Sequence, residues 1–379
     1  MLPKCICTLT LGLIACQISV FGQAAAPPPA SPRAFLANLS QPPVPSDPLE
    51  LAGSNAQPVQ DASQRAAIVS LLANARALSN VRAYPYDLKT SFTASNSSSS
   101  DGTWQLENIS PARGSYRWTA QGPNYSVVNL YRNTLLYSNQ SAASIPIRLA
   151  QVRAAIFYVN TLFGPRASIR TTTANLNGTE VTCALTERMA MPKSTTGGRL
   201  WDESEFCVDP KSGLLMTYSP APGIYISYDY SNALHFHDKI IPGKFTITEA
   251  GHTVIEAQNE SAGTPANLDP TLFDPAGLDP VGAGPLETPP SNFRSTEFNG
   301  ASGTNLAMQV VVLHGMITPD GHFTDPEVLA SSDSSLNQRA LDRFANSQNW
   351  RMADDSQQPG ASPQSHEVFF TLRFVGPAS

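Results

Sequence analysis

The chain has 379 residues, of which 14% are charged and 41% hydrophobic, with 32 prolines and a net charge of -6. That length accommodates about two ordinary domains plus connecting segments. The negative balance excludes the clustered Lys and Arg that nucleic acid or an anionic membrane would need, and low charge with many turn residues points to β-structure outside the cytoplasm.

The N-terminus begins MLPK and continues almost without charge from Cys5 to Phe21, followed by Gly22, Gln23 and an Ala/Pro tract. One cation, an apolar run and small residues is the order of a secretory signal, here residues 1–22. Val20 and Gly22 suit ordinary signal-peptidase cleavage, whereas Leu13-Ile14-Ala15-Cys16 has the form of a lipobox that would leave Cys16 acylated. The run is also marginal for an inner-membrane anchor, which takes roughly twenty apolar residues. Release into a periplasm is the expectation, with the lipoprotein and the anchored form as alternatives. Of five cysteines, Cys5, Cys7 and Cys16 lie in the signal, leaving Cys183 and Cys207 as an expected disulfide in an oxidising compartment. The rival, a redox or metal pair, lacks a Cys-x-x-Cys or a histidine at ligand spacing.

Residues 23–61 carry prolines every few positions and no apolar period, so they read as an extended spacer. In SQRAAIVSLLANARALSN the residues Ile68, Leu71, Leu72, Ala75 and Leu78 recur at helical spacing. Strand-like runs follow, from YPYDLKTSFTAS to TLLYSN, alternating and aromatic as a one-sided antiparallel sheet requires. A second helix is predicted with Ser144 as its cap and Pro146 in its first turn, with Leu149, Val152, Ile156 and Phe157 on one side and Gly164 as its stop. More strands run from ASIRTTT to HTVIEAQNE. Residues 62–261 are therefore expected to be an antiparallel, β-rich domain with two helices. Residues 262–302 return to Pro and Gly and read as a second linker with a reach of about 100 Å if extended.

Residues 303–379 show a strand ending at Leu313, a Pro319-Asp320-Gly321 turn and a second strand in HFTDPEVLA. Ser335 and Gln338 have capping-box spacing, Leu336, Ala340, Leu341 and Phe344 form an apolar helix face, and HEVFFTLRF closes the chain. The expected fold class is α+β: a mostly antiparallel sheet domain with two helices, then a small ββαβ unit.

This last stretch, with its P-D-G turn, "EVLASSDSSLNQRALDRF", the pair Trp350-Arg351 and "VFFTLRF", resembles the TonB C-terminal domain. The resemblance implies a periplasmic module that binds a short segment of an outer-membrane receptor, or another envelope protein, by strand addition. Carried onto this chain, the recognising edge would be Glu367, Val368, Phe369, Phe370, Thr371, Leu372, Arg373 and Phe374. The same edge could pair with a second copy to give a homodimer. The central region faintly resembles LolA-like lipoprotein carriers in its helix, strands, helix and closing strands such as "CVDPKSGLL", which implies a sheet curved around helices and an apolar cavity. The plainer reading makes Trp104, Trp118, Tyr125, Tyr131, Phe157 and Tyr158 ordinary core or sheet aromatics.

His235 and His237 would point the same way on a strand, as two metal ligands could, but spacing names no third ligand and surface histidines are the simpler reading. Catalytic and nucleotide-binding signatures are absent from the sequence. The expectation is a binding protein with no enzymatic role and no cofactor. Its main reading is a strand-adding partner of an envelope protein, and its alternative is a carrier of a lipid or other apolar ligand.

Overall fold

The computed structural model describes residues 56–95, 101–112, 114–140, 146–157, 167–187, 203–221, 224–249, 252–283, 293–299, 306–318, 320–331, 334–345 and 366–377. The expected signal, Cys16, most of the first spacer, Ser144, Tyr158, Gly164, Pro319 and the Trp350-Arg351 pair lie outside the described residues.

A short strand, β1 (Gln57–Pro58), precedes helix α1 (Ala62–Ser79). Asp61 caps the helix, accepting from Ser63 N at 2.7 Å and from its hydroxyl at 2.9 Å. Ile68, Leu72 and Ala75 are its buried face, at the spacing that one side of a helix dictates. A meander follows: β2 (Tyr86–Ala94), β3 (Gly102–Ala112), β4 (Ser115–Gln121), β5 (Ser126–Arg132) and β6 (Leu135–Ser138). Helix α2 (Ile147–Phe157) starts a second series, its first turn closed by Ala150 N donating to Pro146 O at 3.0 Å.

That series comprises β7 (Ser168–Leu176), β8 (Thr179–Glu187), β9 (Ser204–Val208), β10 (Leu215–Ala221) and β11 (Ile224–Asp229). A separate hairpin of β12 (Leu234–Phe236) and β13 (Lys239–Ile241) interrupts it before β14 (Lys244–Glu249) and β15 (His252–Gly263). β15 then pairs with β2 and joins the two series into one sheet. β16 (Asp279–Ala283), inside the stretch read as a linker, pairs with β6 at the far edge. The result is one antiparallel sheet of fourteen strands in the order β1-β7-β8-β9-β10-β11-β14-β15-β2-β3-β4-β5-β6-β16.

Period-two alternation decides which face each residue takes. Along β2, Tyr86, Leu88, Thr90, Phe92 and Ala94 are buried while Lys89 and Thr93 are exposed. Trp104 and Leu106 of β3, Tyr116 and Trp118 of β4, and Phe245 and Ile247 of β14 join them on the inner face. Ile68, Leu72 and Ala75 of α1, and Leu149, Val152 and Ala155 of α2, complete that core. Both helices therefore pack on one face of the sheet. On β8 and β9 the alternate residues behave differently: Val181, Cys183, Leu185 and Cys207 form a second buried cluster, separate from the helix side.

The C-terminal region contains β17 (Phe293–Asn299), β18 (Leu306–Ile317), β19 (Phe323–Ser331), helix α3 (Asn337–Ala345) and β20 (His366–Pro377). Val311, Leu313, Ile317 and Phe323 pack with Ala340 of α3, flanked by Leu336 and Leu341. The expected fold class needs correction here. A single large antiparallel sheet dominates the chain, and the C-terminal strands are not a small ββαβ unit. They form a four-stranded sheet ordered β17-β20-β18-β19, because a segment of the supposed linker pairs in parallel with β20.

Candidate functional site

Helix α2 carries an apolar face and three buried polar side chains together. Leu149 and Val152 are fully buried, as the predicted stripe requires, yet Arg148, Gln151 and Arg153 are also buried. Arg148 Nη1 donates to Glu249 Oε1 at 2.7 Å and to Gln151 Oε1 at 3.0 Å, and Gln151 Nε2 donates to the same Glu249 oxygen at 2.8 Å. Further along the helix, Arg153 Nη1 donates to Asn108 Oδ1 at 2.7 Å, and its guanidinium lies 3.7 Å from the centre of the Trp118 ring. Tyr228 closes the seat by donating its hydroxyl to Ala155 O at 2.9 Å. The helix thus rests on an apolar floor and is held in register by polar contacts to β3, β11 and β14. Burial pushes the Tyr228 hydroxyl well above its ordinary pKa, and burial does the same to Tyr230, which donates to Leu215 O at 3.0 Å.

A small opening remains between the helix ends and the sheet, lined by Ser79, Val81, Ile156, Tyr228, Tyr230 and Phe245 among others. Its volume is about 20 Å³, room for one water. On the outer face, a groove of about 440 Å³ runs over β2 to β5, lined by Lys89, Gln105, Glu107, Thr119 and Gln121. There Lys89 Nζ meets Glu107 at 3.1 Å. Burial, and then the nearby Glu107 charge, raise the carboxyl pKa of Asp87 beside it.

The residues singled out in the sequence fall in several places. Cys183 and Cys207 are directly opposite one another on β8 and β9 and are joined by a disulfide, S–S 2.04 Å. Glu367 to Phe374 lie on β20, paired with β18 on one side. On the other side, Phe369 to Val375 pair with Phe293 to Asn299, so the edge position expected for strand addition is occupied by the chain itself along most of that stretch. His235 sits on β12, whereas His237 turns at φ 54°, stacks on Tyr84 with centroids 4.3 Å apart and has Nε2 3.4 Å from Thr264 Oγ1. Both histidines are exposed. The turn removes the common direction that a continuous strand would have imposed. Arg148, Arg153, Asn108 and Glu249 were not singled out in the sequence. The one available signal was the pair of arginines interleaved with the apolar stripe of α2.

The sequence matches no family model, and no curated protein is found similar to it. Solved structures do match. A LolA superfamily protein from Nitrosomonas europaea is 11% identical, with 54% of this chain and 96% of that one covered at a TM-score of 0.36. A DUF1329 family protein from Desulfovibrio piger is 8% identical, covering 55% and 98% at 0.36. The MucA/MucB complex of Pseudomonas aeruginosa matches at 12% identity, covering 56% and 62% at 0.25.

Proposed function

We propose that the fourteen-stranded sheet and its two helices form a carrier for an apolar ligand such as an acyl chain, working in the cell envelope. The observation that carries this reading is the seat of α2. The core that its apolar face joins is aromatic, with Trp104, Trp118 and Phe245 buried in it, and buried polar contacts to Glu249 and Asn108 fix the position of the helix. A buried ion pair adds little net stability against an apolar replacement, because desolvation offsets the attraction, but it sets a single docked geometry. Such a helix can leave and return to one position. Leaving uncovers apolar surface, and a ligand that covers it offsets the cost.

Among the described residues, the opening beneath the helices has room for about one water, so a ligand entering there takes space that the helices vacate. No helix among the described residues is long and apolar enough to cross a membrane, and the envelope location follows from the export signal read in the sequence. The proposed role is binding, with no bond-making step. The test is mass spectrometry of organic extracts from protein purified out of an envelope fraction, together with displacement of a bound naphthylamine fluorophore by a long-chain fatty acid. Lipid at about one per chain and displacement by the fatty acid are expected; absence of both overturns the reading. Arg65 Nη2 ties α1 to Ala167 O at 2.8 Å, and Arg65→Met is expected to speed fluorophore uptake without changing its amplitude.

A further inference from the structure

On the inner face of the sheet, one cross-strand row is polar where the row beside it is apolar. Asn108 of β3 faces Trp118 of β4, Trp118 faces Asn129 of β5, and Asn129 faces Ser138 of β6. The adjoining row is Leu106, Ala120 and Val127. Asn108, Asn129 and Ser138 are buried, at 2%, 6% and 2% exposure, so water does not account for their polarity. Helix α2 lays Arg153 over the middle of the polar row, its guanidinium 3.7 Å from the Trp118 ring centre and 5.7 Å from that of Phe157. Arg82 approaches the same Phe157 ring at 4.4 Å, which brings a second cation to this end of the helix. A guanidinium only donates, so Asn108 turns its amide oxygen to Arg153 and its nitrogen away. Asn108 Nδ2 is then a buried donor with no acceptor in the structure. Aspartate at this position would meet Arg153 with an opposite charge and leave no donor unmet. Asparagine meets Arg153 without neutralising it and keeps a donor beside the cation, at a cost that a ligand oxygen would relieve.

We propose that this row holds the head of the apolar ligand and selects an anionic one, a carboxylate or a phosphate. The inference rests on the carrier reading above and adds which head group the seat recognises. An anionic oxygen accepts from Asn108 Nδ2 beside the Arg153 guanidinium, and a hydrogen bond to a charged acceptor is stronger than one to a neutral ester. Asn129 and Ser138 extend the polar track on the far side of Trp118, and the apolar row of Leu106, Ala120 and Val127 lies alongside for the chain. Space for both comes from outward movement of α2. The long Arg153 side chain keeps its charge at the head while the helix backbone withdraws.

The experiment loads the full chain with the neutral naphthylamine fluorophore and displaces it with matched compounds of one chain length: dodecanoate against methyl dodecanoate, and dodecyl phosphate against dodecanol. The anionic member of at least one pair is expected to displace at a concentration lower by about tenfold or more, the scale of a hydrogen bond to a charged group. A gap in the first pair alone identifies a fatty-acid head, and a gap in the second alone a phosphate head. Asn108→Asp keeps an acceptor for Arg153, and with it the docked helix, while it replaces the orphan donor with an anionic oxygen. This variant is expected to abolish the gap and to leave displacement by the neutral members unchanged, with far-ultraviolet circular dichroism as the check on its fold. Equal displacement within both pairs, or a gap that survives Asn108→Asp, overturns the head site and leaves the carrier reading standing. Failure of every compound to displace the fluorophore overturns both.

Discussion

Arg148 and Glu249 stand 101 residues apart in sequence and 2.7 Å apart in space, at 0% and 4% exposure. Removing one partner leaves a buried charge without its counter-ion, so Arg148→Met and Glu249→Gln are each expected to cost about 3 to 5 kcal/mol. Replacing both with apolar residues is expected to cost less than either change alone, and a double-mutant cycle by urea denaturation measures this. Tyrosine offers a pH-dependent test. Burial pushes the Tyr125 hydroxyl up to about 12 from an ordinary value of 10.0, so the unfolded chain loses that proton first. The stability tied to this group is complete below pH 10 and is lost as pH rises toward about 12. Tyr125→Phe is therefore expected to move the midpoint of alkaline unfolding upward, read by circular dichroism against pH. Apolar residues such as Ile68, Leu72, Leu149 and Val152 were legible in the sequence because their spacing repeats, and they are buried as that spacing implies. Arg148 was not, since its burial depends on an acid contributed by a distant strand.

At the level of elements, the helices and most strands stand where local pattern places them, and the pairing partners do not follow from pattern. The resemblance to the TonB C-terminal domain made β20 the expected open edge. It lies inside its sheet because Phe293–Asn299, in a stretch dominated by proline and glycine, pairs along its other side. Thr371→Pro removes an N–H from an interior strand. The expected result is loss of amide-exchange protection across both β17 and β18 in the full chain. Loss confined to one neighbour would count against the four-strand order. The disulfide works at the same level. It closes a separation of 24 residues between two adjacent strands, and its removal by the paired serine substitution is expected to cost around 3 kcal/mol in denaturant titrations.

Across the whole molecule, two helix-led meanders meet at the β15–β2 pair, and the inner face of the shared sheet receives both helices. Composition and periodicity were sufficient for a β-rich chain with a helix before each run of strands, and for Cys183 and Cys207 as partners, because these depend on local residue chemistry and on parity. Three features came only from the tertiary structure: the joining of fourteen strands into one sheet, the internal place of β20, and the convergence of Asn108, Trp118 and Arg153. Each depends on register between segments distant in sequence. A backbone N–H is the same in every residue, so ladder partners are chosen by the packing of whole faces, and that choice is made only when the chain has folded.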